Sequence, residues 1–185
     1  MAPPHIQRVI IFGSQFGMRI GPCELFRLTW EDVDLDKMVL RIHGSKKNKA
    51  ALWREVPIKP SLVPILEGWK AEDAKQGVTY LISYSKKPVT NIRKVWHRLL
   101  KKVGITRRIR PYDLRHAFAT EAIAAGGDIG TVAKLMGHAN ANMILKHYQY
   151  IKDRQKEETI AKLPDPTYVP NKMCPKGKTP KGPEK

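Results

Sequence analysis

Tyr112-Asp113-Leu114-Arg115-His116-Ala117-Phe118-Ala119-Thr120, followed by Gly137-His138 and then by Tyr148, is the stretch from which the rest of the chain is best read. Pro111 starts a helix that runs to about Ala125, where Gly126-Gly127 stops it. Tyr112 and Arg115 are three residues apart and share a face of that helix, so both can point at one phosphate. Asp113 and His116 fall on other faces, and Leu114, Ala117, Phe118 and Ile123 read as core. Arginine neutralises phosphate oxygens through a planar fork of donors. Histidine exchanges hydrogen bonds with them near neutral pH. Tyrosine is a possible covalent nucleophile. The combination suggests phosphoryl transfer on nucleic acid.

The surrounding pattern is α+β and mainly helical. Pro3 and Pro4 sit at the start of a helix whose period is carried by Ile6, Val9, Ile10, Gly13 and Phe16. A short second helix is expected from about Pro22 to Leu28. Val33 to Ile42 and Trp53 to Ile58 read as two strands, joined through the basic tip Gly44-Ser45-Lys46-Lys47-Asn48-Lys49. A helix to about Lys75 follows Pro60-Ser61, and Tyr80-Leu81-Ile82 suggests a third short strand. Thr90 is placed to cap a helix through Val103, and Asp128 to cap another over Ile129 to Met136. Further helices are expected from Asn142 to about Tyr150 and from Asp153 to Leu163.

From Pro164 to Lys185 prolines and lysines dominate, and such a segment buries too little to offset its ordering entropy. The expected organisation is a folded domain over 1–163 and a disordered basic tail over 164–185. No internal repeat is visible. Because the chain enters its first apolar helix almost at once, it is expected to be a piece of a longer protein.

Lysine and arginine number 34 against 17 aspartates and glutamates in 185 residues, a formal charge of +17. The tail holds five lysines and two acids, so most of the excess lies in the folded part. An excess of this size costs self-repulsion and points to a polyanionic partner. Two distant cysteines, Cys23 and Cys174, make no disulfide framework and fit a reducing cytoplasm. No run approaches the ~20 apolar residues of a membrane span, so no membrane is expected.

Cleaving a phosphodiester takes a nucleophile, cations around the non-bridging oxygens and a proton donor for the leaving oxygen. No carboxylate cluster resembles a magnesium site, so neither metal nor other cofactor is expected and basic side chains carry the charge. Arg19 lies at the helix junction Gly17-Met18-Arg19-Ile20-Gly21, where free N–H groups also favour an anion. Lys46, Lys47 and Lys49 crowd the hairpin tip, and a lysine there can protonate a leaving oxygen. Arg93 and Lys94 begin the charged face of a later helix, a candidate DNA-binding surface. Arg115, His138 and Tyr148 complete the set. Taken singly, each has an ordinary reading: a turn arginine, a solvated charge run, a structural histidine, a core-edge tyrosine. Their conjunction and order carry the inference.

Together these motifs resemble the catalytic domain of tyrosine recombinases, the phage-integrase family. The resemblance runs from Gly17-Met18-Arg19-Ile20-Gly21 and Leu28-Thr29-Trp30-Glu31-Asp32-Val33-Asp34 through the lysine hairpin to Arg54-Glu55-Val56-Pro57-Ile58. It continues through Asp113 to Thr120, Leu135-Met136-Gly137-His138 and Leu145-Lys146-His147-Tyr148, covering about residues 5 to 155. It implies that family's fold, a small antiparallel sheet beside a helical core, without the N-terminal core-binding domain that usually faces it. It implies site-specific DNA recombination for a prophage or mobile element, with Tyr148 as nucleophile. Arg19 and Arg115 would stabilise the transition state, Lys46 (or Lys47) would be the general acid, and His138 would bond a phosphate oxygen. Double-stranded DNA, a tetramer on DNA and accessory DNA-bending proteins are the implied partners.

This chain has Tyr112 where the family usually has histidine, and Pro22 where its acid often lies; Glu24 is the available substitute. Tyr150 is a second candidate nucleophile. Two other readings stay open: a type IB topoisomerase-like activity, and a non-catalytic DNA-binding regulator.

Overall fold

The computed structural model describes residues 2–44 and 53–138. Helix α1 (Pro4–Phe16) sits at its centre, and its sequence explains the position. Pro4 fits the first turn, where its missing N–H bonds nothing. Ile6, Val9, Phe12 and Phe16 form one buried stripe, each contributing about 1.5–3 kcal/mol by leaving water. Phe12 and Phe16 stack with ring centroids 5.4 Å apart. The helix ends at Gly17, in the left-handed region with φ +58°.

Beside α1 lies a three-stranded antiparallel sheet in the order β1 (Val33–Asp34), β2 (Val39–His43), β3 (Trp53–Pro57). Leu40 pairs with Val56 and Ile42 with Arg54. The two-residue period turns Leu40, Ile42 and Val56 into the core. Helix α2 (Val63–Gln76) brings Leu66 and Trp69 against the same core. The hairpin β4 (Ser83–Tyr84) and β5 (Lys87–Pro88) leads to α3 (Arg93–Lys102), which buries Trp96 and Leu100. Helices α4 (Asp113–Ala124) and α5 (Ile129–Met136) form a second, smaller cluster of Ala119, Ile123, Ile129, Val132, Ala133 and Met136. Gly13 lets α4 approach α1, because a Cβ there would meet the Leu114 Cβ at 2.9 Å.

The mainly helical α+β class and the small antiparallel sheet stand, and four local expectations change. The run Val33 to Ile42 is two strands, because Asp34 accepts from the Lys37 N–H at 2.9 Å and Met38 takes φ +56° to close a turn. Over Pro22 to Leu28 there is one 3-10 turn, Leu25–Arg27, in place of a helix. Glu24 has φ −135° and ψ −83°, a conformation outside any helix, and its side chain is fully buried. Of Tyr80 to Ile82, only Tyr80 bridges, to Thr29; the pairing falls at β4 and β5. Ser85 and Lys86 join those strands with positive φ, a turn usually marked by glycine or asparagine. Asn91, rather than Thr90, accepts from the Arg93 N–H at α3. Asp128 caps α5 as expected, accepting from Thr131 N at 2.8 Å. The lysine tip, the helices expected after Asn142 and the tail lie outside the described residues. Among the described residues no helix is long and apolar enough to cross a membrane.

One ion pair ties the larger core together. Arg8 donates to both Asp73 oxygens, at 2.5 and 2.9 Å, and to the Leu81 carbonyl at 3.1 Å. Trp30 Nε1 donates to the same carboxylate at 2.9 Å, and the Trp69 ring lies 5.2 Å from the guanidinium. Removing one partner leaves the other charge buried and unpaired. Asp73→Ala is expected to cost about 3–5 kcal/mol, measured by urea unfolding at neutral pH.

Candidate active site

Arg115, one turn into α4, has no exposed surface. Its Nη1 donates to the Gly17 carbonyl and its Nη2 to the Met136 carbonyl, both at 2.7 Å. These carbonyls close α1 and α5, so one guanidinium satisfies the C-terminal ends of two helices. The negative end of each helix dipole favours the cation. Among the described residues, buried Arg115 Nε has no hydrogen-bond partner.

Glu24 is the counter-charge. Its Oε1 accepts from Arg19 Nη1 at 3.1 Å. Its Oε2 accepts from the Arg19 backbone N–H and from Arg54 Nη2, both at 2.9 Å, and lies 3.8 Å from Arg115 Nη1. Burial pushes this carboxyl up, but Arg54, the Arg19 N–H and Arg115 more than offset it and hold it below the usual carboxylate range. Three arginines from separate parts of the chain therefore share one carboxylate. Burial pulls Arg115 down to about 10, which leaves it charged at neutral pH.

His138 follows the helix stop at Gly137, and its N–H donates to the Ala133 carbonyl at 2.9 Å. Burial first, then Arg115, Arg19 and Arg54, pull its imidazole down to about 4. It is therefore neutral at pH 7, with one ring nitrogen to donate and one to accept.

The expected residues thus divide into groups. Arg19 and Arg115 come together on Glu24, and His138 lies within electrostatic reach of them. Tyr112 precedes α4 and is 39% exposed; its carbonyl accepts from the Arg115 N–H at 3.0 Å, and its ring meets His116 edge-on at 5.1 Å. His116, expected on another face, is one turn further and on the same side. Arg93 and Lys94 are exposed on α3. Arg93, His97, Arg108, Arg110 and Tyr112 line an open groove of about 650 Å³ next to Ile20 and Gly21. Lys46, Lys47, Lys49 and Tyr148 lie outside the described residues. Among the described residues no three His, Cys, Asp or Glu side chains group to hold a metal.

Sequence reasoning missed Arg54 as a site residue, although a signal was present. In the alternating strand Trp53–Pro57, Arg54 takes the same face as buried Val56. A cation on an inward face needs a partner.

Comparison with known proteins adds the lineage. The model of the phage integrase family matches residues 6–155. "Tyrosine recombinase XerA" of Thermococcus onnurineus is 36% identical over 146 residues, covering 75% of this chain and 49% of that protein. "Prophage integrase IntR" of Escherichia coli K12 is 28% identical over 186 residues, covering 82% of this chain and 44% of that protein. The chain thus spans about half the length of the curated relatives it matches. The fold is similar to the Tn1549 transposon integrase, solved in complex with transposon right-end DNA, at TM-score 0.67 and 20% identity. That likeness covers 85% of this chain and 59% of the other.

The pH response follows from His138 and Glu24. Both are held below their ordinary values, so the unfolded chain binds more protons and acid favours unfolding. His138 contributes stability that is fully present above about 6.5 and lost as pH falls toward about 4. Glu24 adds a further loss below its ordinary 4.5. Urea titrations at stepped pH should show wild-type stability falling between 6.5 and 4, and His138→Gln should flatten that interval.

Proposed function

The chain belongs to the phage integrase family, and from that premise we propose that it is the catalytic domain of a site-specific DNA recombinase. The observation that best supports this reading is the convergence of Arg19 and Arg115, from two separated motifs, on one buried carboxylate, with His138 of a third motif within electrostatic reach of both arginines. Three arginines, Arg19, Arg54 and Arg115, against the one acid leave a locus with net positive charge, suited to an anion. The buried Nε of Arg115 adds a donor without a partner among the described residues. Because Arg115 is fully buried, a phosphate reaches it only after the site opens.

In the proposed reaction the Tyr148 phenol oxygen attacks the scissile phosphorus. A 3′-phosphotyrosyl bond forms and the bond to the 5′-oxygen breaks. Lys46 (or Lys47) gives that oxygen a proton, leaving a 5′-hydroxyl. Arg19 and Arg115 stabilise the charge that builds on the non-bridging oxygens, the kind of pre-set electrostatic term that dominates many enzyme rates. Neutral His138 donates to one such oxygen through one ring nitrogen and accepts the phenol proton at the other. A 5′-hydroxyl from another strand reverses the step and exchanges partners. Phosphoester replaces phosphoester, so the exchange needs no energy source.

Residues 1–163 would form this domain and 164–185 a basic tail, acting on double-stranded DNA in the cytoplasm as a tetramer, with accessory DNA-bending proteins where a site needs bending. Integration or excision of a prophage or mobile element is the reading favoured by the prophage integrase and the transposon integrase among the relatives. The exposed cations of α3, Arg93 and Lys94, would contact DNA together with Lys47 and Lys49.

A suicide duplex carrying the cognate site tests the chemistry. A denaturing gel should show a covalent protein–DNA adduct for the wild type and none for Tyr148→Phe. Arg115→Ala should slow its formation by about 10²–10³-fold. Retained DNA binding without any adduct would favour the non-catalytic regulator.

A further inference from the structure

We propose that Arg54 is a positioning residue for the phosphate site, a brace that fixes the end of α5 against Glu24 and so sets where His138 and the Met136 carbonyl stand. The proposal rests on the recombinase reading. Arg54 enters from β3 with its side chain 13% exposed, far less than a surface arginine. Its Nε donates to the Leu135 carbonyl at 2.8 Å, and its Nη2 to Glu24 Oε2 at 2.9 Å. Two edges of one rigid plane are thereby spent on two different elements.

Gly137 supports the same arrangement. It takes φ +68°, and a Cβ there would come 2.7 Å from Arg54 Nη1. The glycine therefore turns the chain toward His138 and also leaves room for the guanidinium. Leu135, which Arg54 holds, immediately precedes Met136, whose carbonyl Arg115 holds. Two guanidiniums thus grip consecutive carbonyls of one helix end, and both face Glu24. If Arg54 is lost, that end keeps its own backbone bonds and the Arg115 contact but loses its tie to Glu24, and His138, three residues beyond Leu135, gains room to shift. A displacement of about 1 Å at a reacting group can cost on the order of 10²-fold in rate.

Lysine separates geometry from charge, since an ammonium keeps the charge beside Glu24 without the planar fork. Adduct formation on the pre-bound suicide duplex is expected to fall at least tenfold in R54M, with DNA affinity within about threefold of wild type. R54K should regain the thermal stability lost in R54M yet remain slow. Wild-type rates in R54M, or full rates in R54K, would overturn the proposal. Amide exchange of the full chain gives a readout independent of activity. In R54M, exchange at Gly137 and His138 should quicken at least tenfold, while Val9 in α1 is unchanged. If the wild type itself forms no adduct, the recombinase reading fails and exchange alone judges the brace. A local increase then supports it, and a uniform increase or none refutes it.

Discussion

A guanidinium with no exposed surface, bonded to the last carbonyls of two helices, is the constraint on which the rest of this structure depends. Arg115 holds Gly17 at the end of α1 and Met136 at the end of α5. These helices belong to different apolar clusters, so the arginine joins the two cores as well as filling a site. Burying such a charge is costly, and the cost is met by oriented dipoles and by one carboxylate. The glycines follow from the same demand. Gly17 has positive φ and sits where a Cβ would come 2.4 Å from the Phe118 ring. Helix ends that pack this closely around a cation leave no room for side chains.

Glu24 shows how the charge is balanced and why the balance is incomplete. One carboxylate faces Arg19, Arg54 and Arg115. It keeps the free protein folded while leaving positive charge in excess. A fully neutralised cluster would be more stable and less able to take an anion. The excess extends outward, since the segment from Asn91 to Tyr112 contains eight lysines and arginines and no acid. The charge on the face around Tyr112 therefore has the same sign as the charge beneath it.

Much of this was legible in the sequence, and the exceptions have physical causes. Long helices were visible because their apolar period and their proline, glycine and aspartate punctuation are local signals. The helix expected at Pro22 to Leu28 does not form because Glu24 is held by arginines 30 and 91 residues away. Local propensity does not contain those partners. The Leu35–Met38 turn was hidden because Leu35 continues the apolar run and the signal is one aspartate side chain. Arg115 and His138 were recognised as chemistry, but Arg115's burial was not, because the cavity it fills is made by α1 and α5. Arg54 shows the converse. Its inward strand position was readable, but its two partners lie in elements far along the chain.

The depressed imidazole and the exposed phenol bear on where the nucleophile's proton goes in the proposed chemistry. Tyr112 stands where the family usually has histidine, and a phenol lacks the basic ring nitrogen of an imidazole. His138 is neutral at pH 7, so one of its ring nitrogens carries a lone pair. The cations that make it neutral, Arg115, Arg19 and Arg54, also make it a weak base. A phosphodiester bound among them brings a negative charge that opposes theirs. The imidazole then becomes more basic as the substrate seats. In this arrangement basicity depends on occupancy, and the same phosphate that is to be cleaved tunes the group that takes the proton.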